Sequence, residues 1–381
     1  MKIGLTFPGC HRRGGVERVI YECAGFLAGR GHDVTVFANE WDRADNTRGV
    51  RYRHVPARRV PGFLYGRSFS RHCTRALASS GLDVFNTHGV VCPADGVHWV
   101  HSVHRAWLER CREFRPPWSF GRFRQRVNPL HPVLLRMEEA HFRRRRYRRL
   151  LATTEVVRDD LERLYDVPPE DVTIIPNGFA PAEFNPQRRT ERRAAMRAKL
   201  GLRDDEVALL FVANELARKG YGTILEALRQ GGPGRFRVLV VGRVSEKQTM
   251  REARRHGLTE QITYCGPTGD VSAFHAAADA FVLPTQYEAF ALAILEALGS
   301  GLPVVTTRIP GAMNAIRPGV NGYLIDDPRD GEQLRAKLDL LLDDEHRAWL
   351  SAQAPATVAH HHWPVLLTRY EEVLQSCASR C

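Results

Sequence analysis

The sequence predicts an α/β protein made of two doubly wound domains, each with a parallel sheet, that face a cleft. At 381 residues, the chain is longer than most single domains. The succession of strand, helix and strand that is typical of a parallel sheet occurs at the start and begins again near Val207. Between the two halves, a segment rich in proline and glycine, 176–187, interrupts the periodicity. We therefore expect an N-terminal domain over 1–175 and a C-terminal domain over 176–360.

The first domain opens with a short apolar strand over 2–7, followed by a glycine-rich loop from Gly9 to Gly15. The stretch 16–29 has the apolar spacing of an amphipathic helix, and 33–38 is the next predicted strand. The loop therefore follows the carboxyl end of the first strand, where open α/β sheets bind ligands.

The second domain repeats this order and ends before a terminal helix. Predicted strands cover 207–214, 237–242, 262–266, 280–284 and 303–307, and predicted helices cover 223–230, 271–278 and the residues around Glu296. The segment 361–381 contains a further helical pattern. It could pack on either domain, and we assign it to the N-terminal one.

Composition favours an ordinary globular protein. Hydrophobic residues make up 43% and charged residues 26% of the chain, and no apolar run reaches the length of a transmembrane helix. The first residues lack the layout of a signal peptide, so we expect a cytoplasmic protein. Eight cysteines occur without a C-x-x-C pair, which argues against a zinc or redox motif. The net charge of +12 favours anionic partners.

Two glutamates near the start of an apolar helix are the first candidate site residues. Glu296 lies inside a segment that is otherwise typical of a core, and burying an unpaired carboxylate costs several kcal/mol. Glu288 precedes the helix, whose first free amides would form an anion site. The alternative is that Glu288 is only a favourable charge at a helix start and Glu296 is half exposed.

Two cations and two glycines are further candidates. Arg218 and Lys219 directly follow a predicted strand, where adjacent positive charges suit a diphosphate, although a solvated basic turn is the simpler interpretation. Gly14 and Gly15 would let backbone amides approach a phosphate, or would simply form a turn. No G-x-x-x-x-G-K-[ST] motif occurs, which argues against a P-loop NTPase.

Histidines and arginines cluster in the first domain. His98, His101 and His104 are spaced by three, so on a helix they would share a face; a contact to a sugar hydroxyl is more expected than a metal site. No Asp-x-Asp occurs to anchor a divalent ion. The arginine run formed by Arg143, Arg144, Arg145 and Arg146 suits an anionic membrane surface, a solvated face or nucleic acid. No nucleic-acid motif supports the last, and we expect no such partner.

Taken in order along the chain, these motifs resemble retaining glycosyltransferase family 4. The resemblance spans almost the whole chain and is strongest from 170 to 330. The chain also resembles, more loosely, the glucosyltransferases that begin the lipopolysaccharide core. It implies the GT-B fold, in which two Rossmann-like domains face a cleft. The residues that carry it are Gly14, Gly15, Arg218, Lys219, Gly220, Glu288, Glu296 and the PNG at 176–178.

The resemblance also implies roles for these residues. Glu296 would bind the ribose hydroxyls of a sugar nucleotide, and Glu288 would face the donor sugar. The implied catalytic residues are Glu288, His101, Lys219 and Arg218. The implied donor-binding residues are Gly14, Gly15, Asn214, Arg218, Lys219, Glu288, Phe290, Ala291, Leu292 and Glu296.

The implied activity is metal-independent transfer of a hexose, with retention, from a nucleotide-sugar to a lipid-linked or cell-envelope glycan. A UDP-sugar is expected ahead of a GDP-sugar, and neither a metal nor another cofactor is expected. The enzyme would work in the cytoplasm, with the inner face of the plasma membrane as an additional contact. The alternatives are a nucleotide-sugar 2-epimerase of the same fold, glycosylation of a natural product, and a non-catalytic basic binding protein.

The chain departs from the family pattern at two places. Many members have an arginine five residues before the lysine, where this chain has Asn214, so that either Arg218 replaces it or diphosphate binding is weaker. Members also have glycine after the first glutamate, where this chain has Ala289 and Ala291. Alanine would be strained there if the helix start required a positive φ.

Overall fold

The computed structural model describes residues 1–12, 14–42, 49–58, 62–92, 95–114, 118, 120–231, 234–290, 292–309 and 313–378. The chain forms two compact units. The first comprises Met1–Asn177 and Trp363–Cys381, and the second comprises Gly178–His362. Each unit contains a parallel sheet with helices, so the predicted fold class of two α/β domains is confirmed.

The first unit is built on a parallel sheet of seven described strands, in the order β5-β3-β1-β6-β7-β8-β9. The strands of this unit are β1 (Lys2–Thr6), β2 (Gly9–Cys10), β3 (Asp33–Ala38), β4 (Glu40–Trp41), β5 (Arg51–His54), β6 (Val84–His88), β7 (Val97–Val100), β8 (Arg149–Ala152) and β9 (Val172–Ile174). Its helices begin with α1 (Gly15–Gly29), α2 (Tyr65–Ala78), α3 (His104–Phe114), α4 (Phe120–Val127), α5 (Leu130–Glu138) and α6 (Glu155–Tyr165). Chain order reverses between β1 and β6, which makes their carboxyl ends the expected ligand edge.

The second unit has six described strands in the order β12-β11-β10-β13-β14-β15. They are β10 (Val207–Val212), β11 (Phe236–Val241), β12 (Ile262–Gly266), β13 (Ala280–Leu283), β14 (Val304–Thr307) and β15 (Gly322–Ile325). The helices are α7 (Pro186–Lys199), α8 (Tyr221–Gln230), α9 (Glu246–Arg255), α10 (Ser272–Ala277), α11 (Leu292–Gly299), α12 (Gly331–Asp339) and α13 (Asp344–Thr357). Here the chain order reverses between β10 and β13. The loops that follow these two strands carry the predicted cations and Glu288.

The last helix, α14 (Trp363–Ala378), belongs to the first unit although it follows the second in sequence. Its Tyr370 hydroxyl donates to Oδ1 of Asn86 over 2.9 Å, and both side chains are fully buried. Glu371 accepts from Nε of Arg30 at 3.1 Å and lies 2.7 Å from Nε2 of His32. These contacts connect α14 to β6 and to the end of α1.

Arginines of α7 bind a buried carboxylate that directly precedes β13 in the second unit. Asp279, which precedes β13, accepts from Arg193 at 2.5 Å and from Arg197 at 3.0 Å. It also accepts from the backbone N of Ala208 at 2.8 Å. Because Arg197 and Asp279 are both buried, each charge is stabilised by the opposite charge and by these hydrogen bonds rather than by water.

No helix in the described ranges combines the length and the apolar character needed to cross a membrane.

Candidate functional site

Three of the predicted site residues meet at the ligand edge of the second unit. Oε1 of Glu288 accepts hydrogen bonds from Nζ of Lys219 and, at 2.9 Å, from Nη1 of Arg218. The same Nη1 donates to the carbonyl of Tyr287 at 2.8 Å, and Nε of Arg218 donates to Glu215 at 3.0 Å. The carboxylate and the lysine are mostly buried, with 13% and 15% of their side chains exposed. The simpler interpretation of Arg218 and Lys219 as a solvated basic turn is therefore wrong.

Glycine at position 220 allows this arrangement to form. Gly220 has a φ of +84° at the start of α8, and a Cβ there would lie 2.0 Å from the carbonyl oxygen of Pro284. The loop after β10 therefore packs directly on the loop after β13. A backbone hydrogen bond of 2.9 Å from Gln286 to the carbonyl of Arg218 joins the same two loops. The cations are thus placed by the backbone as well as by their own ion pairs.

The two cations determine the charge state of Glu288. Burial alone would raise the pKa of this carboxyl, but the charges of Lys219 and Arg218, and their hydrogen bonds, hold the pKa below its ordinary value. Burial opposes the charge of Arg218, while Glu288 and Glu215 raise the pKa of its guanidinium. The site therefore holds the ionised Glu288 against two cations, of which Arg218 also pairs with Glu215.

Glu296 is buried, with 7% of its surface exposed, so the alternative of a half-exposed glutamate is wrong. It lies on α11, which in the described residues begins at Leu292, so Glu296 is just over one turn inside the helix. Glu288 precedes the helix, as predicted. Leu292 supplies one of the free amides of the first turn.

The other predicted residues of this region have varied surroundings. Phe290 is buried, and its ring centroid lies 5.7 Å from that of His361. Oδ1 of Asn214 accepts from the backbone N of Arg243 at 3.0 Å, which ties the loop after β10 to the loop after β11. Ala291 lies outside the described residues. In the structure, Asn214 therefore acts on the backbone of a neighbouring loop.

The first loop of the other unit contains a carboxylate that the sequence interpretation overlooked. Gly14 is the N-cap of α1 without a side-chain cap, and Gly15 is the first helical residue. A Cβ at Gly14 would lie 2.2 Å from Oε2 of Glu17, so the Glu17 carboxylate lies over the start of this helix. A glutamate in the first helical turn is the signal that predicts such an interaction. An anion that approached Gly15 would therefore meet this carboxylate.

The three evenly spaced histidines do not share a helix. His98 is in β7, His101 follows that strand, and His104 begins α3. Each lies within hydrogen-bond distance of another histidine ring: His98 of His141 at 2.5 Å, His101 of His88 at 2.9 Å, and His104 of His131 at 3.1 Å. In the described ranges, no group of three or more histidine, cysteine or acidic side chains is arranged to hold a metal ion.

Burial keeps several of these histidines neutral. It lowers the pKa of His101 to about 3. For His104, burial and the neighbouring His131 lower the pKa to about 4. The pKa values of His88 and His141 lie well below the ordinary value, because of burial and of the histidine beside each. These rings therefore act as hydrogen-bonding groups at neutral pH and carry no charge.

We expect the first unit to lose stability as the pH falls below about 6.5, the pKa of a histidine in an unfolded chain. The unfolded chain then binds protons that the folded chain excludes. Each buried neutral histidine therefore lowers the free energy of unfolding by about 1.4 kcal/mol per pH unit, until the pH reaches the low pKa of that histidine in the folded protein. Guanidinium midpoints between pH 7.5 and 5 measure this slope. His141→Phe should flatten it, and a midpoint that does not change over this range would contradict the expectation.

Known families match both halves of the chain. Residues 13–183 match the model described as Glycosyltransferase Family 4, and residues 192–356 match the model described as Glycosyl transferases group 1. Together the two models cover most of the chain.

Named proteins of similar length are also related. A D-inositol 3-phosphate glycosyltransferase of Xylanimonas cellulosilytica is 28% identical, over 94% of this chain and 91% of its own. The lipopolysaccharide glucosyltransferase WaaG of Escherichia coli is 26% identical, over 85% of each chain. Both relatives are glycosyltransferases by name, and their names indicate different acceptors.

Solved structures share the fold. A crystal structure of WaaG superposes with a TM-score of 0.82 at 22% identity, over 98% of this chain and 99% of that one. Anabaena HepE in complex with UDP-glucose superposes with a TM-score of 0.75 at 16% identity, over 98% and 99% of the two chains. At these identities, the likeness establishes the architecture alone.

Proposed function

Because this chain belongs to the GT-B glycosyltransferases, with a family 4 region followed by a group 1 region, we propose that it transfers a hexose from a UDP-sugar to a glycan acceptor with retention of anomeric configuration. The observation that carries this proposal is the buried Glu288 carboxylate between Lys219 and Arg218. This arrangement places two cations and one carboxylate at the ligand edge of a doubly wound sheet.

The two cations suit the diphosphate of the donor. As the bond between the sugar C1 and the diphosphate oxygen breaks, negative charge develops on that oxygen, and Lys219 and Arg218 would stabilise it. The acceptor oxygen forms the new bond to C1 on the same face, and its proton passes to the departing diphosphate. We propose that these side chains supply the positive charge without a metal ion. Glu288 would hold the cations in place and face the sugar.

Glu296 would bind the ribose hydroxyls of the donor, since its buried carboxylate lies on the helix that follows Glu288. A UDP-sugar is supported by the HepE structure with UDP-glucose, whose fold this chain shares. One of the two relatives named above, the lipopolysaccharide glucosyltransferase, supports a lipid-linked or cell-envelope acceptor, whereas the name of the other indicates D-inositol 3-phosphate.

Nucleotide binding should depend on Glu296. We expect one of UDP, GDP and ADP, or their sugars, to stabilise the wild type by about 2.7 kcal/mol at 100 times its dissociation constant, and Glu296→Ala to lose most of this response. A thermal-shift series with and without EDTA measures it. Glu332→Ala, an exposed glutamate of α12, is the matched control. A response that survives in Glu296→Ala would remove the residue from the donor site, and one that EDTA abolishes would contradict metal independence.

The reaction type is tested with the donor so identified. Proton NMR of the glycosylated product should show the anomeric configuration of the donor; the opposite configuration would contradict retention. Incubation with donor alone should give only slow release of the nucleotide. Conversion of the donor into its C2 epimer would establish the epimerase alternative instead.

We further propose that the enzyme works in the cytoplasm and contacts the inner membrane surface through the first unit. All four arginines of the run 143–146 are exposed, and Arg143 also pairs with Glu139 and Asp166. Exposed apolar side chains of the same unit lie among arginines: Trp118 is 87% exposed, Phe123 is 61% exposed, and Arg124 and Arg126 are exposed beside them in sequence. Basic and aromatic groups together favour an anionic lipid interface.

Sedimentation with vesicles tests this contact. Vesicles with anionic lipid should bind the wild type, and neutral vesicles should bind it much less. We expect each basic side chain near the surface to contribute about 1 kcal/mol at low salt. Two variants separate the contributions of the aromatic side chains and of the arginine run. One carries Trp118→Ser and Phe123→Ser, and the other has Arg144, Arg145 and Arg146 changed to glutamine. Equal binding of both variants and the wild type would contradict the proposal.

A further inference from the structure

The first and last residues of the second unit lie side by side, next to the helix that carries Glu296. This unit begins at Gly178 and ends at His362. The backbone N of Phe179 donates to the carbonyl of His361 at 3.0 Å, and Phe179 forms an isolated parallel bridge with His362. The rings of Phe179 and His362 also pack edge to face, with centroids 5.0 Å apart. The two terminal segments of the unit are therefore fixed to each other.

Phe179, on the first of these segments, packs on the end of α11. Gly299 is the last residue of this helix, and a Cβ there would lie 2.3 Å from Cε2 of Phe179. The Phe179 ring therefore lies directly on the backbone of the last helical turn. Because this ring is fully buried and enclosed by close-packed neighbours, it prevents the end of the helix from moving toward it.

His361, on the last segment, contacts the chain that leads into α11. Phe290 lies between Glu288 and the helix, and its ring centroid is 5.7 Å from that of His361. Both side chains are buried. A buried aromatic ring restrains the backbone that carries it, because the packed interior leaves the ring little room to move. The contact with His361 therefore fixes the chain between Glu288 and the helix start.

We infer that His361 and Phe179 are positioning residues that hold α11 from its two ends and so set the affinity of the second unit for the donor. This inference rests on the proposed function, because Glu296 and the amides at the helix start are proposed to bind the sugar nucleotide. His361 and Phe179 act through the helix and do not touch the donor themselves. The groups on α11 would hold the donor both before and during the reaction, so a loss of their alignment weakens binding more than it slows the chemical step.

Replacement of His361 tests the contact at the start of the helix. His361→Ala removes the ring, and we expect the KM for the nucleotide-sugar to rise about tenfold while kcat stays within about threefold. His361→Phe keeps a ring against Phe290 and should recover most of the lost affinity. The matched control is His360→Ala, at the exposed neighbouring histidine, which should keep the wild-type KM. A wild-type KM in His361→Ala would overturn the inference, and so would equal increases in His361→Ala and either of the other two variants.

Gly299→Ala tests the contact at the other end. Alanine has a higher helix propensity than glycine, so on propensity alone this change would stabilise α11. The added Cβ would instead displace the Phe179 ring and move the helix, so we expect the donor KM to rise at least as much as in His361→Ala. Phe179→Leu added to Gly299→Ala makes room for the Cβ and should recover part of the affinity. A Gly299→Ala enzyme with the wild-type KM would overturn the inference.

Fluorine NMR reads the order at Phe290 without any turnover. With 4-fluorophenylalanine at position 290, the wild type should give one sharp signal, and His361→Ala should broaden or split it because the ring has lost its neighbour. A signal in His361→Ala as sharp and single as that of the wild type would overturn the inference. This comparison needs no ligand, so it separates the two proposals. If none of UDP, GDP and ADP stabilised the wild type, the proposed function would fail, while the fluorine signals would still test the contact between His361 and Phe290.

Discussion

Lys219→Ala should lower kcat/KM for the nucleotide-sugar by about a thousandfold. Removing one preorganised donor from a developing negative charge typically costs about 10²- to 10³-fold, and Lys219 carries a full charge in a mostly buried setting. Because the charge on the leaving diphosphate grows in the transition state, kcat should fall more than the donor KM rises. The same change leaves Glu288 with Arg218 alone, so part of the donor site remains.

The rate of UDP release from the donor identified by thermal shift measures this effect. Lys219→Arg keeps the charge and should recover part of the lost rate. The matched control is Lys247→Ala, an exposed lysine of α9 in the same unit, which should have wild-type kinetics. A Lys219→Ala enzyme with kcat within threefold of the wild type would show that the ion pair with Glu288 is structural.

Asp279→Ala should destabilise the second unit by about 3–5 kcal/mol, the cost of leaving a buried partner charge unpaired. Arg197 is buried and would lose its carboxylate, and the backbone N of Ala208 would lose its acceptor. Asp279→Asn should be intermediate, since the amide oxygen can still accept from that backbone N.

Guanidinium unfolding followed by circular dichroism measures the loss. Asp270→Ala is the matched control, because Asp270 pairs with the neighbouring Arg192 while 49% of its own side chain is exposed. Exposed pairs contribute about 1 kcal/mol or less. If both variants unfolded at the same guanidinium concentration, the buried pair would be no more important than the exposed one.

Local signals in the sequence account for several strands and for much of the candidate site. Apolar runs bounded by glycine and proline predicted the first and third strands of the first unit and most strands of the second, and the position of Arg218 directly after a strand placed it at the ligand edge. Glu288 was correctly predicted to precede a helix. These successes share a cause: strand ends and helix starts are marked by residues within a few positions of one another.

Contacts between distant residues were not predictable in this way. His88 and His101 are 13 residues apart, and His98 and His141 are 43 apart, so no short spacing indicated these pairs. The regular spacing of His98, His101 and His104 instead suggested one helical face, although the chain passes there from a strand through a loop into α3. The bond between Asp279 and Arg197 likewise joins residues 82 positions apart.

The discontinuity of the first unit has a consequence for synthesis on the ribosome. Residues 178–362 form one contact set, whereas the first unit also needs α14, the last helix to be translated, for the bond between Tyr370 and Asn86. The first unit therefore cannot complete its native contacts until the last codons have been read, although most of it is made first. A premature stop near the 3′ end of the message would thus damage the half of the protein that was made earliest.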